Sequence, residues 1–141
     1  MIWAVLDTNT LVSGFGWPRS IPGRVVDLAL AGRFLLVTSR TLLDELDRVL
    51  RYPRLAPIFT DPSAVVRAFE RAALVISPQV TLSVARDPAD NRVLEAAVEA
   101  SVDAIVTGDD DLLALESYER IPIVPARAFL ELLNGQRGRL P

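Results

Sequence analysis

The side chains able to do chemistry in this chain are almost all carboxylates. Eighteen Asp and Glu stand against fifteen basic residues, and every basic residue is an arginine, because lysine, histidine and cysteine are all absent. Without histidine there is no Ser-His-Asp triad, no imidazole base and no imidazole metal ligand. Without cysteine there is no thiolate nucleophile, disulfide or thiolate zinc site. Without lysine there is neither a Schiff base nor a Walker A phosphate loop. Carboxylate, hydroxyl, amide and guanidinium groups remain. A metal held by oxygen alone would be a hard one, Mg2+ or Mn2+ before Ca2+.

The spacing of the acids narrows the choice. Asp7 directly follows the apolar run Ile2 to Leu6, and Asp109 lies just past Val106, across Thr107-Gly108. If both runs are strands of one parallel sheet, both acids emerge at its carboxyl edge, where such sheets build their sites. Asp103 precedes its run and belongs to the opposite edge. Asp87-Pro88-Ala89-Asp90 reads as a helix start, with Asp87 as N-cap. Asp90 then falls in the first turn, either as a functional acid or as the acidic half of a capping box. In RTLLDELDRVL, steps of about 100° per residue put Leu42, Leu43, Leu46, Val49 and Leu50 on one face. Glu45 and Asp47 lie on the two borders of that face and Asp44 points away, so periodicity leaves both border acids open. Arg51, one turn on, is a natural partner for Asp47. Asp109-Asp110-Asp111 is dense enough to bind or to cap the helix after it. Thr8, Asn9 and Thr107 offer hydroxyl and amide groups that cap helices or orient a ligand.

The elements that must position these residues alternate. Continuous apolar runs at Ile2–Leu6, Phe34–Val37, Val75–Ile76, Ala104–Val106 and Ile121–Val124 read as buried strands. Asp7-Thr8-Asn9 reads as a polar turn and Gly14–Gly23 as a loop. Helices are predicted from about Arg24 to Ala31, stopped by Gly32, and from a Thr38 or Ser39 cap to Arg51. Further helices are expected from Asp61-Pro62 to Leu74, Asp87-Pro88 to Ser101, Asp110 or Asp111 to Leu115, and Pro125 to Leu133, where Asn134-Gly135 ends the last. Pro53–Thr60 reads as a short helical turn or linker. The pattern implies an α/β fold of three layers, a central parallel sheet of about five strands between helices. It is expected to occupy residues 1–135 as one domain, with 136–141 a mobile tail.

No apolar run approaches the roughly 20 residues of a membrane span. The first strand meets Asp7 and lacks a basic flank, so it is not read as a signal peptide, and a cytoplasmic location is expected. The net charge of −3 argues mildly against a protein that coats nucleic acid, although cations bound to clustered acids would remove part of that excess.

Taken in order, the DTN after the first strand, the acid within SRTLLDELDRVL, DPADNRVLEAA and IVTGDDDLL resemble the PIN domain. The likeness extends from Ile2 to Leu133. The stretch from Asp87 onward resembles especially the members that are toxins of toxin-antitoxin pairs. Carried over residue by residue, the resemblance selects Glu45 over Asp47, and Asp90 over Asp87, which keeps its capping role. It implies Asp7, Glu45, Asp90 and Asp109 as catalytic, metal-binding acids, with Asp111 as a further acid that either touches metal or caps a helix.

The resemblance also implies hydrolysis of RNA phosphodiester bonds. One or two Mg2+ or Mn2+ ions would activate water and stabilise the leaving oxygen, a route that needs no histidine. Arg40, Arg86 and Arg92 are nearest in sequence to the acids and could hold substrate. Phe15 and Trp17 could stack on a base, with packing against the core as the plainer role. A homodimer or higher homo-oligomer and an antitoxin protein are the partners implied. Two alternatives stand beside this reading. One is another metal-dependent phosphohydrolase, disfavoured by the missing lysine and by a DTN turn with a single aspartate. The other is an inactive PIN-like binding module, disfavoured by the presence of all four acids.

Overall fold

A computed structural model describes residues 1–137. Its elements in chain order are β1 (Trp3–Leu6), α1 (Thr8–Gly16), α2 (Ile21–Leu30), β2 (Leu35–Ser39), α3 (Arg40–Leu50), α4 (Pro62–Ala72) and β3 (Ala73–Ile76). They continue with α5 (Pro88–Ala100), β4 (Ala104–Val106), α6 (Asp110–Leu113), β5 (Ser117–Tyr118), β6 (Ile121–Val124) and α7 (Ala126–Arg137). The sheet has six strands in the order β3-β2-β1-β4-β6-β5. All pairings are parallel except the short β5–β6 hairpin at one edge.

Strand alternation splits the core in two. Ala4, Leu6, Leu36, Ala104 and Val106 face a cluster built with α1, α2, α3, α4 and α7, whereas Val5, Val37, Ile105 and Ile123 face a second cluster built with α5. Phe34 and Phe129 meet edge to face at 4.9 Å in the first cluster. Among the described residues no helix is long and apolar enough to cross a membrane. From β1 the chain moves outward to β2 and β3, then crosses back to β4 on the other side of β1. That reversal puts the carboxyl ends of β1 and β4 side by side at a topological switch point, with Leu6 opposite Val106.

Most of the expected elements are present, and three differ. The polar turn at Asp7–Asn9 and the first part of the Gly14–Gly23 loop form the helix α1, and α2 begins at Ile21, before Arg24. DTNTLVSGFG is rich in glycine and β-branched residues, so its helix propensity is low. Burial of Leu11 and Val12 overrides that weakness. Gly14 serves packing here: a Cβ would lie 2.3 Å from Val26 Cγ2 and 2.6 Å from the Pro22 carbonyl oxygen. Because the second obstacle is backbone, Gly14→Ala is expected to destabilise the fold by about 1–3 kcal/mol. Gly108→Ala, whose Cβ meets nothing within 4 Å, should change thermal or urea midpoints little.

The sixth strand, β5, turns into β6 through Glu119 and Arg120, both at positive φ (47° and 70°). Asn-Gly is the usual signal for such a turn, and its absence hid the hairpin. At the end of the chain, α7 passes through Asn134-Gly135 to Arg137. A single glycine costs a helix only about 1 kcal/mol, which neighbouring turns can absorb. Of the tail expected at 136–141, residues 138–141 lie outside the described residues.

Candidate active site

At the switch point the chain turns from strand to helix twice through an aspartate. Asp7 ends β1 and caps α1: its Oδ1 accepts from the Thr10 amide at 3.0 Å and from the Thr10 hydroxyl at 2.5 Å. Asp109 follows β4 and caps α6, accepting from the Asp111 amide at 2.8 Å. Thr107 joins the two. Its hydroxyl donates to Asp7 Oδ2 and accepts from the Asp109 amide at 2.9 Å. One almost completely buried hydroxyl, at 1% exposure, thereby orients two acids a hundred residues apart in sequence.

The other acids arrive on helices. Ser39 caps α3, which carries Glu45 on its border; Thr8 Oγ1 donates to Glu45 Oε2 at 3.0 Å. Asp47, on the other border, is held by Arg51 at 3.1 Å, and Asp44 is exposed. Asp87 caps α5 through the Ala89 amide and places Asp90 in the first turn. Asp7, Glu45, Asp90 and Asp109 line one cavity of about 70 Å³, together with Thr8, Asn9 and the capping Asp87. Val49 and Val93 form its apolar wall. Asp103 pairs with the backbone of Trp3 at the opposite edge, as its position before β4 implies.

Electrostatics single out Asp90. It is 6% exposed, and its Oδ2 is buried without a hydrogen-bond partner. Burial, together with the charges of Asp109, Asp87 and Asp7 and a hydrogen bond to Asp109 that favours the protonated acid, pushes its pKa from 3.8 up to about 7. Like charges around a small space disfavour full ionisation. Partial compensation comes from the N-termini of α1 and α5, whose dipoles favour negative charge at their caps.

The remaining expected site residues are distributed more widely. Asn9 reaches the cavity, whereas Asp111 is exposed and meets Asp109 through its backbone amide. Arg40 pairs with Glu70 at 3.2 Å, and Arg86 is exposed. Arg92 points away from the cavity: it binds Glu95 at 2.8 Å and the Leu82 carbonyl at 3.3 Å. Two residues along a helix means about 200° of rotation, so closeness to Asp90 in sequence is distance in space. Asn91 and Glu95 complete that role by accepting from the amides of Val84, Ala85 and Leu82, which straps residues 82–85 to α5. Phe15 packs edge-on against Phe69 at 5.8 Å, and Trp17 is exposed beyond the end of α1. Sequence reasoning missed the Thr10 hydroxyl, whose signal was its place three residues after the Asp7 cap, and the second position of Asp87 in the cavity wall.

The PIN-domain family model matches residues 4–111, a span that contains all five acids of the cavity. Over 122 residues, 84% of this chain and 78% of the other, the chain is 31% identical to an uncharacterized protein of Methanocaldococcus jannaschii, MJ1680. With the switch-point sheet, the paired strand-end aspartates and a match over most of its length, the chain belongs to the PIN-domain family, whose members are generally nucleases.

Proposed function

We propose that this PIN domain is a divalent-metal-dependent ribonuclease that hydrolyses RNA phosphodiester bonds. The observation that carries the reading is Asp90 Oδ2, a buried oxygen with no hydrogen-bond partner in a cavity lined by four further acids, Asp7, Glu45, Asp109 and the capping Asp87. An unpaired buried acceptor is costly, and a cation would relieve it. The donor set is all oxygen, as Mg2+ and Mn2+ prefer. About 70 Å³ suits an ion with a few waters, each taking roughly 30 Å³ in the liquid, and no larger ligand. Among the described residues no three acids close into a ready coordination group.

Asp7, Glu45, Asp90 and Asp109 would hold the ion, which when bound acidifies water and neutralises charge developing on the phosphate. The protein's own part is orientation. Thr107 fixes Asp7 and the turn to Asp109, Thr8 fixes Glu45, and Asp90, its pKa pushed up to about 7, is divided between protonated and charged forms at neutral pH. Thr107→Val is expected to cost about 10–100-fold in metal affinity or turnover, and Thr107→Ser to restore most of it; titration of activity against Mn2+ reads both.

The direct test is cleavage of RNA by wild type with Mg2+ or Mn2+ and with EDTA. Metal-dependent cleavage supports the reading, and failure to cleave under any metal condition removes it. Mg2+ or Mn2+ should also raise the thermal midpoint of wild type, through binding to the native state alone, and raise that of Asp7→Asn much less. An equal rise in both would place the metal elsewhere. The resemblance of the Asp87–Leu133 stretch supports a toxin silenced by an antitoxin, acting as a homo-oligomer in the cytoplasm. Asp109 caps α6 through the Asp111 amide, and Asp111 is proposed to support that helix start by its charge in the first turn and not to hold metal.

A further inference from the structure

Beside the acidic cavity lies a second, larger one of about 310 Å³. The two share Asn9 and Asp109 in their walls, so anything seated in the larger one lies against Asp109. The size difference separates their occupants. The smaller suits an ion and water, whereas the larger falls at the lower end of the roughly 300–1,000 Å³ typical of small-molecule pockets.

Its lining defines the chemistry of the guest. No arginine lines it and its one charged group is Asp109, so a second phosphate would be repelled. The hydroxyls of Thr10 and Thr107 are already engaged with Asp7. Asn9 and Ser13 stand one helical turn apart on α1 and therefore on the same face; among the described residues neither side chain has a hydrogen-bond partner. Together they offer amide donors, an amide acceptor and a rotatable hydroxyl, a set suited to an uncharged group with mixed donors and acceptors. Pro22, Pro125 and Ala126 supply apolar surface in the same cavity. Gly108 also lines it, and open space beyond its Cα keeps the cavity clear.

We propose that this cavity seats the nucleoside next to the scissile phosphate, with Asn9 and Ser13 hydrogen-bonding its base edge or ribose hydroxyl and the prolines packing against its ring. The proposal rests on the ribonuclease reading for the identity of the polymer. The cavity itself is tested without cleavage.

In the metal-free protein the side-chain amide resonances of Asn9 are followed by NMR while adenosine, guanosine, cytidine and uridine are added separately to millimolar concentration. At least one nucleoside is expected to shift them saturably, and Ser13→Phe or Gly108→Leu, which fill the cavity, should abolish the shift while the rest of the spectrum stays folded. If no nucleoside shifts them, or if the shift survives both fillings, the proposal is overturned. Where wild type cleaves RNA, the two variants should also lower kcat/KM on an RNA oligonucleotide at least about tenfold more than on methyl p-nitrophenyl phosphate, which carries no nucleoside. An equal loss on both substrates would overturn the seat. Absence of cleavage in wild type would remove the ribonuclease reading and leave the nucleoside titration to decide the cavity.

Discussion

Asp7→Asn is expected to lower metal-dependent RNA cleavage by about two to three orders of magnitude, the scale at which removal of one preorganised electrostatic group acts on turnover, while leaving the fold nearly as stable. The second half of that expectation follows from the geometry. Asparagine caps helices as well as aspartate, and its oxygen can take the place of Oδ1 toward both Thr10 donors. The new amide would face Thr107 Oγ1, which has a second lone pair beside the one used by the Asp109 amide. The hydroxyl proton then loses Asp7 as its acceptor, a cost of about 1–3 kcal/mol that removal of one charge from the crowded cavity offsets. What disappears is one negative charge, and with it an anionic oxygen facing the cavity. Single-turnover cleavage and a thermal melt on the same sample check both halves. A large fall in melting temperature would mean that lost folding, and not lost charge, explains the lost activity.

Asp90→Asn is expected to stabilise the metal-free protein at neutral pH and to leave it almost unchanged near pH 4. Asp90 has an ordinary pKa of 3.8 in the unfolded chain and about 7 in the fold, so between those values the native state binds more protons than the unfolded state. Stability must then fall as pH rises through that window. Below about pH 4 the acid is neutral in both states and no penalty exists. Above about pH 7 it is charged in both, and the full cost of a buried carboxylate facing other carboxylates is felt. At about 1.4 kcal/mol per unit this cost is on the order of a few kcal/mol. Asparagine carries no charge at any pH and can still donate toward Asp109. Melts in EDTA from pH 4 to 8 should show wild type declining and the variant flatter, with a gap at pH 8 of roughly 5–10 °C. Coincident profiles would show that Asp90 is not strained by its neighbours. The same variant should bind metal and cleave RNA worse than wild type, since the group that destabilises the empty fold is the one a cation would relieve.

Much of this molecule is legible in one sequence because its signals are local. Ser39, Asp61 and Asp87 cap the helices they were expected to cap, each accepting from an amide two or three residues on. Ala104–Val106 is a strand with the expected bounds. Asp7 and Asp109 share an edge because both follow strands of one parallel sheet, an inference that needs only the order of elements, and they meet because β1 and β4 are paired. The α1 helix was illegible for the opposite reason. Its residues favour turns and extended chain, and only burial against α2, with Gly14 permitting close approach to Pro22, makes it a helix.

The four acids divide in the same way. By itself the sequence determined the chemistry open to this protein: no imidazole, no lysine amine, no thiol, and therefore carboxylate, hydroxyl, amide and guanidinium groups, with any metal held by oxygen. It also determined that Asp7 and Asp109 share an edge. Between Glu45 and Asp47 helical periodicity was indifferent, since both border the same apolar face; in the tertiary structure Thr8 engages the first and Arg51 the second. Asp90 was equally a capping acid by spacing, and only packing of α5 against the sheet buries it with an oxygen unpaired. Those assignments required the fold because burial and charge proximity are properties of space, and they arise from contacts such as Thr107 to Asp7 that span a hundred residues of chain.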